Sequence, residues 1–353
     1  MRRTLSVLMA ACAVNAIALS AALAAELPSG FRLESVVAGL NVPSSLDATP
    51  DGRILITERA TGNLRVVQNG ELQAAALCTV AVNSTGEGGL LGVAVHPDFA
   101  TNGSIYLYYT DAGVSPNVNK VSRFTIQGRS CTGKLDVLAN LGGVGASVLG
   151  NGGGVAFGPD RKLYVATGDV ETSSNGQNDA TLMGKILRAN DDGSVPSDNP
   201  IAGSLVYSKG VRNGKGVAVG STGKVYMTDG GQDPTIYDEL NYVRPGGNLG
   251  WDVRTGPSGG TYDDPLVSYS PIAGMRGVVV FGASAFPNQA ADGRDNDHDR
   301  YGADLYPGIA HVDDNQKGEC MGGIKNGEPC ASVAECGTAR LCQGVLPETV
   351  TCY

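Results

Sequence analysis

Three observations predict an all-β chain of the β-propeller type: a recurring hairpin phrase, a wealth of glycine, and no long helical stripe. The phrase reads GVAVHPDFATNGSIYLYY over residues 92–109, GVAFGPDRKLYVATG over 154–168 and GVAVGSTGKVYMT over 216–228. A worn copy, LDATPDGRILITE, occupies residues 46–58. Each copy joins a short apolar strand, a tight turn, and a second β-rich strand ending in small or acidic residues. Counted at the turn residues Asp51, Asp98, Asp160 and Thr222, the steps are 47, 62 and 62 residues. Such periods suit propeller blades joined by loops of uneven length. The 51 glycines follow no collagen period and fit numerous turns. A propeller gathers its blade-end loops over one central channel, where a small-molecule site can form.

The first 25 residues read as a segment apart. Arg2 and Arg3 precede an apolar, small-residue stretch, and Ala22-Leu23-Ala24 is a small-x-small cleavage pattern. A secretory signal is predicted for 1–25, with a lipoprotein signal ending at Cys12 as the alternative. The remainder is expected to be exported, periplasmic or extracellular, with no membrane span after signal removal. A net charge of −9 without a basic run argues against nucleic acid or an anionic membrane as partner.

Within the expected propeller, 26–312, strands are predicted at 31–37, 54–57 and 64–68, the last ending in the turn Asn69-Gly70. The run Gly86-Glu87-Gly88-Gly89 leads into a strand at 90–95, and 105–110 and 121–126 continue the meander. The third copy opens from Gly150-Asn151-Gly152-Gly153-Gly154. Four glycines in five positions do not make a stable strand interior. They permit left-handed backbone or close approach of a ligand, or simply a flexible turn. Strands follow at 185–189, 225–228 and 240–243, separated by the turns Asn190-Asp191-Asp192-Gly193 and Pro245-Gly246-Gly247-Asn248. A fifth unit is half legible at 277–281 and 304–312, so about five blades can be read.

Seven of the eight cysteines follow the signal. Cys78 and Cys131 flank the second copy and can pair across neighbouring blade edges. Cys320, Cys330, Cys336, Cys342 and Cys352 crowd the end at spacings of 10, 6, 6 and 10. A small cysteine-rich tail, 313–353, stapled by disulfides is therefore expected. A zinc site is the weaker reading, for there is no CxxC. Asp295, Asp297 and Asp299 alternate in DGRDNDHD, as calcium loops require, although Arg300 stands where an EF-hand has glycine. A solvated acidic turn is the other reading of that loop.

Five motifs in order, GEGGLLGVAVHPDFATNG (86–103), NGGGVAFGPDRKLYVATGD (151–169), LMGKILRANDDGSVPSDNP (182–200), GVRNGKG (210–216) and DELNYVRPGGNLGW (238–251), resemble the glucose/sorbosone dehydrogenase family. The resemblance covers about residues 36–255. It implies a six-bladed propeller and a soluble quinoprotein that binds pyrroloquinoline quinone (PQQ) and calcium and oxidises sugars or related polyols with an external electron acceptor. In that family a histidine takes the proton from the sugar hydroxyl; the aligned position here is Gly150. Asp169 matches the acidic residue that orients this base. Arg212 and Asn213 match a cofactor-contacting pair, and a guanidinium suits the carboxylates and quinone of PQQ. Glu87 takes a polar substrate-side position, and Lys215 replaces a glutamine beside the cofactor. Gly231 and Gln232 fall where backbone carbonyls hold the cofactor's calcium, and Asp238 and Glu239 match a structural calcium site.

Two other functions compete. Gly150 offers no imidazole, which fits an exported propeller that binds a small ligand or protein partner without catalysis. A glycosidase would need paired carboxylates about 5 to 9.5 Å apart, and Asp169 with Glu87 is the pair to consider.

Overall fold

The computed structural model describes residues 34–142, 149–231, 236–270 and 274–281, with short backbone strands between 311 and 352. Four antiparallel sheets follow one another along the chain. The first contains β1 (Pro43–Ala48), β2 (Ile54–Glu58), β3 (Asn63–Gln68) and β4 (Glu71–Leu72), with β5 (Cys78–Thr79) also paired to β3. The second runs β6 (Leu90–Val95), β7 (Ser104–Asp111), β8 (Val118–Gln127) and β9 (Ser130–Leu138). The third runs β10 (Gly152–Phe157), β11 (Leu163–Thr167), β12 (Lys185–Ala189) and β13 (Val206–Lys209). The fourth runs β14 (Gly214–Val219), β15 (Val225–Asp229), β16 (Asp238–Val243) and β17 (Val267–Tyr269). The sequence therefore folds as an all-β propeller with four complete blades. The strand β18 (Val278–Phe281) lies against β14 and pairs through its backbone with Thr349–Cys352.

Period-two side-chain alternation explains how the blades stack. Ile105, Leu107 and Tyr109 of β7 face the first blade, packing with Leu55, Leu64 and Val66. Their neighbours Tyr106 and Tyr108 face the third, among Val155, Leu163 and Val165. Strand β11 repeats this, with Tyr164 and Ala166 packing on Val217, Val225 and Met227 of the fourth blade. The second, third and fourth blades are thus covered on both faces, so their central strands read as unbroken apolar runs rather than alternating ones. Each large apolar side chain fully buried in this way contributes about 1.5–3 kcal/mol.

The glycine that opens each full copy of the phrase has a steric reason. A Cβ on Gly92 would lie 2.1 Å from the carbonyl oxygen of Gly153 in the next blade, and one on Gly216 would lie 2.3 Å from that of Arg276. The innermost strands abut backbone to backbone around the channel, and only glycine fits there. A bulge recurs at the same place in all four sheets, at Pro43/Ser45, Leu90/Gly92, Gly152/Gly154 and Gly214/Gly216.

One expectation shifts. Residues 34–37 are irregular, and the first strand is Pro43–Ala48, because the partner that Ile54–Glu58 needs is the phrase's own first half. Among the described residues four blades are complete, and β18 falls in the half-legible fifth unit. The segment 1–25 and Asp295, Asp297 and Asp299 lie outside the described residues. Among the described residues no helix is long and apolar enough to cross a membrane.

Cys78 and Cys131 form a disulfide across 53 residues, joining the end of the first blade to the outer strand of the second. Replacing both by serine removes a loop constraint and is expected to lower stability by about 3–4 kcal/mol. Urea unfolding of the double variant against the oxidised parent measures this.

Candidate functional site

The connections that enter β6, β10 and β14 converge at one end of the inner strands. The first brings Glu87, the second Gly150, and the third Arg212 and Asn213. The Glu87 carboxylate collects all three: its Oε2 accepts from the Gly150 N–H at 3.1 Å and from Asn213 Nδ2 at 2.9 Å. Its Oε1 accepts from Lys215 Nζ at 3.1 Å. Burial works against the charge on Glu87, but the Lys215 ammonium, the Asn213 amide and the Gly150 N–H outweigh it and hold its carboxyl below the usual range.

Asn213 uses every polar group it has. Its Oδ1 accepts from the Gly152 N–H at 2.9 Å, its own N–H donates to Asp229 Oδ1 at 2.6 Å, and its carbonyl accepts from Gly230 at 3.1 Å. Asp229 also receives the Arg212 N–H at 2.8 Å. Burial first, and then the Glu239 charge, push the Asp229 carboxyl up to about 7 despite these bonds.

Arg212 is only 6% exposed. Its Nη1 donates to the Gly230 carbonyl at 2.5 Å, and its guanidinium carbon lies 5.8 Å from the centre of the Trp251 ring. The same Trp251 donates Nε1–H to Asp169 Oδ2 at 2.9 Å. Asp169 Oδ1 accepts from the Glu171 N–H at 2.9 Å. Burial raises the Asp169 carboxyl against the opposing pull of Trp251, Glu171 and Arg212, and the Asp252 charge adds to the rise. Behind it, the fully buried Lys185 donates to the carbonyls of Asn175 at 2.5 Å and Met183 at 2.9 Å. Burial pushes this ammonium down to about 8. Asn175 Nδ2 in turn donates to the Asp169 carbonyl at 3.0 Å, so Lys185 fixes the loop that carries Asp169.

The structure thus gathers Glu87, Gly150, Asp169, Arg212, Asn213 and Lys215 around one end of the channel. It separates Asp238 from Glu239, because adjacent strand residues point to opposite faces. The Asp238 carboxylate clasps the N–H groups of Gly231 at 2.5 Å and Met275 at 3.2 Å, tying two connections together. Glu239 lies on the other face beside Asp229, its cross-strand partner, and accepts from the Gly256 N–H at 2.5 Å. Asn241 shares that face, donating to Glu239 Oε2 at 3.2 Å, and its buried Oδ1 has no partner. A small cavity lined by Arg212, Asp229, Tyr237, Glu239, Trp251 and Thr255 opens there. Gln232 lies outside the described residues. A wider hollow bordered by Asp51, Arg53, Phe99 and Arg129 lies at the opposite end of β6 from Glu87, and no site residue reaches it.

Sequence reasoning missed Trp251, Asp229, Lys185 and Asn241. Trp251 is the single tryptophan and closes NLGW, and Asp229 ends the second strand of the fourth copy. Those were the available signals.

The channel end of this propeller holds a buried guanidinium, an indole and an interlocked set of carboxylates and amides. Residues 40–291 match the family described as Glucose / Sorbosone dehydrogenase, and the chain belongs to that family. It is 34% identical over 254 residues to quinoprotein glucose dehydrogenase B of Acinetobacter calcoaceticus, a match covering 63% of this chain and 52% of that protein. The chain thus spans about half the length of this relative. It is 29% identical over 262 residues to the aldose sugar dehydrogenase YliI of Escherichia coli, covering 69% and 67% of the two chains. The PQQ-bound aldose sugar dehydrogenase of Streptomyces coelicolor superposes with a TM-score of 0.63 at 34% identity, over 71% of this chain and 74% of that one.

Replacing Asn213 by alanine strands the Gly152 N–H and one acceptor site of Glu87, and is expected to cost about 2–4 kcal/mol. Asn213→Asp sets a second carboxylate against Glu87. Its penalty in thermal melts is expected to be larger at pH 7 than toward low pH, where the two carboxyls protonate.

Proposed function

We propose that this chain is an exported PQQ- and calcium-dependent oxidoreductase of sugars or related polyols that passes electrons to an external acceptor. The observation that carries this reading is Arg212, a buried guanidinium over Trp251 whose neighbour Asn213 reaches across the channel end to Glu87. A permanently charged, forked donor in a buried setting suits the carboxylates and quinone oxygens of PQQ. The similarity to PQQ-dependent sugar dehydrogenases supports the same cofactor. When bound, PQQ supplies a two-electron oxidant that accepts hydride from a carbinol carbon.

In this reading Arg212, Asn213 and Lys215 hold the cofactor. Glu87 faces the substrate side, ionised and anchored, where it can accept hydrogen bonds from sugar hydroxyls. Trp251 keeps the guanidinium plane in place and screens it from water. The donors also suit a calcium ion, though on a different grouping from the one the motif implies. Glu239 and the unpartnered Asn241 Oδ1 offer oxygens on a single sheet face, whereas Asp229 on that face is committed to the Arg212 and Asn213 N–H groups. The Gly231 carbonyl remains a candidate for the cofactor's calcium, while the Asp238 carboxylate is committed to backbone N–H groups.

Titrating PQQ with calcium chloride into the full chain is expected to produce the absorbance change of a bound quinone. Arg212→Ala is expected to weaken that binding about 10- to 100-fold, the loss of a charged hydrogen bond. No spectral change with the parent protein would overturn the proposal. Calcium alone is expected to raise the melting temperature. Glu239→Gln should abolish this rise, whereas Asp238→Asn should lower the starting stability and keep it.

A further inference from the structure

We propose that Asp169 itself takes the proton from the substrate hydroxyl, acting as the general base in a chain whose imidazole position is Gly150. The inference rests on the reading of the channel end as a PQQ site. A Cβ built on Gly150 would lie 2.6 Å from Asp169 Oδ1, and the backbone there has φ +66°. The carboxylate therefore stands where a side chain from position 150 would begin, rather than one residue's length behind it. Its two oxygens are held unequally. Oδ2 is fixed by the indole of Trp251, while Oδ1 accepts the Glu171 N–H and, as a carboxylate oxygen with two lone-pair sites, retains one acceptor site for a hydroxyl reaching it past Gly150.

Burial chiefly sets its basicity and raises the carboxyl; Trp251, the Glu171 N–H and the Arg212 charge draw it toward its charged form, Asp252 adds to the rise, and the result is a base stronger than an ordinary aspartate. Glu87 and Lys215, on the far side of Gly150, neutralise one another at 3.1 Å. His96 cannot serve, because it lies at the other end of β6, where its Nδ1 accepts from the Asp98 N–H at 3.0 Å. In the step, the hydroxyl O–H bond breaks and its proton passes to Asp169 Oδ1. With a quinone bound, the carbinol C–H would leave as hydride to it while the C=O bond forms, so that two electrons would pass from sugar to oxidant as Asp169 holds the proton.

The test uses the full chain loaded with PQQ and calcium, D-glucose as probe aldose, and two separate readouts: cofactor binding by absorbance, and reduction of the bound quinone by stopped flow. Asp169→Asn is expected to bind PQQ within about threefold of the parent and to reduce it at least 10²-fold more slowly, the usual cost of losing a general base. The parent rate is expected to rise with pH through one ionisation above the ordinary carboxylate value, and the Asn variant to lose that rise. Asp169→Glu, which retains a carboxylate, is expected to recover part of the rate with the same pH dependence. Where Asp169→Asn fails to fold, the parent's pH profile and the Glu variant carry the test. PQQ binding with an Asn variant as fast as the parent, or with a parent that never reduces the quinone, overturns the role of Asp169 and leaves the cofactor reading standing. Failure of PQQ to bind overturns both.

Discussion

Asn213 is the point on which the channel end depends. Its side chain reaches Glu87 from the second blade's entry and Gly152 from the third, while its backbone joins Asp229 and Gly230 of the fourth. Three connections that share no secondary structure are thereby held in one register. Buried backbone groups at strand ends must find partners or cost free energy, and a carboxamide supplies a donor and an acceptor on one short arm. An aspartate has no donor for Glu87, and a glutamine would overshoot by a methylene. Packing anchors these connections at single points, Val80, Leu141 and Val211, and leaves the register of their polar ends to Asn213.

That register is possible only because the blades stand at a fixed, short spacing. Gly92 and Gly216 let each inner strand meet the backbone of the next blade, and the two-sided clusters of Tyr106, Tyr108, Tyr164 and Tyr226 fill the wedge-shaped space farther out. Tyr108 links the two regimes. Its ring is in the core between the second and third blades, and its hydroxyl donates to the Asn151 carbonyl at 2.7 Å, one residue from Gly150. The same core that sets blade spacing therefore positions the loop at the site.

The hairpin phrase was legible in the sequence because both periods it carries are local: apolar runs for strands covered on two sides, and Pro-Asp or Gly turns. The Cys78–Cys131 link could be read from its placement around one copy. Pairing partners could not be read so directly. An apolar stretch near residue 31 looked like a strand, yet β2 is already paired on both sides by β1 and β3. At the site, the motif residues converge as a set, but the motif implied one calcium role for Asp238 and Glu239, whose adjacency in a strand sends them to different loops. Trp251 escaped notice because its importance lies in what it touches across sheets, Asp169 and Arg212, and Asn241 because its importance lies in a buried oxygen left without a partner, neither of which spacing along the chain records.

Equivalent carboxylates in different blades show how environment divides structure from chemistry. Glu58 and Asp229 each sit opposite the residue that begins the bulge, paired with Pro43 and Gly214. Asp111 and Asp169 each lie two residues beyond that point, past Tyr109 and Thr167. In the early blades burial is outweighed: Asn41, Asn63, Thr61 and Arg65 hold Glu58 below its usual value, and Lys120 with the Gly113 N–H does the same for Asp111. In the later blades the same two positions are raised, Asp169 and Asp229 alike, because burial there meets mainly neutral N–H donors and further acids nearby. Groups at repeated strand positions are thus pushed in opposite directions by burial and local partners, so the blade and not the strand position sets each carboxyl's basicity. The change falls between the second and third blades, where Gly150 lies.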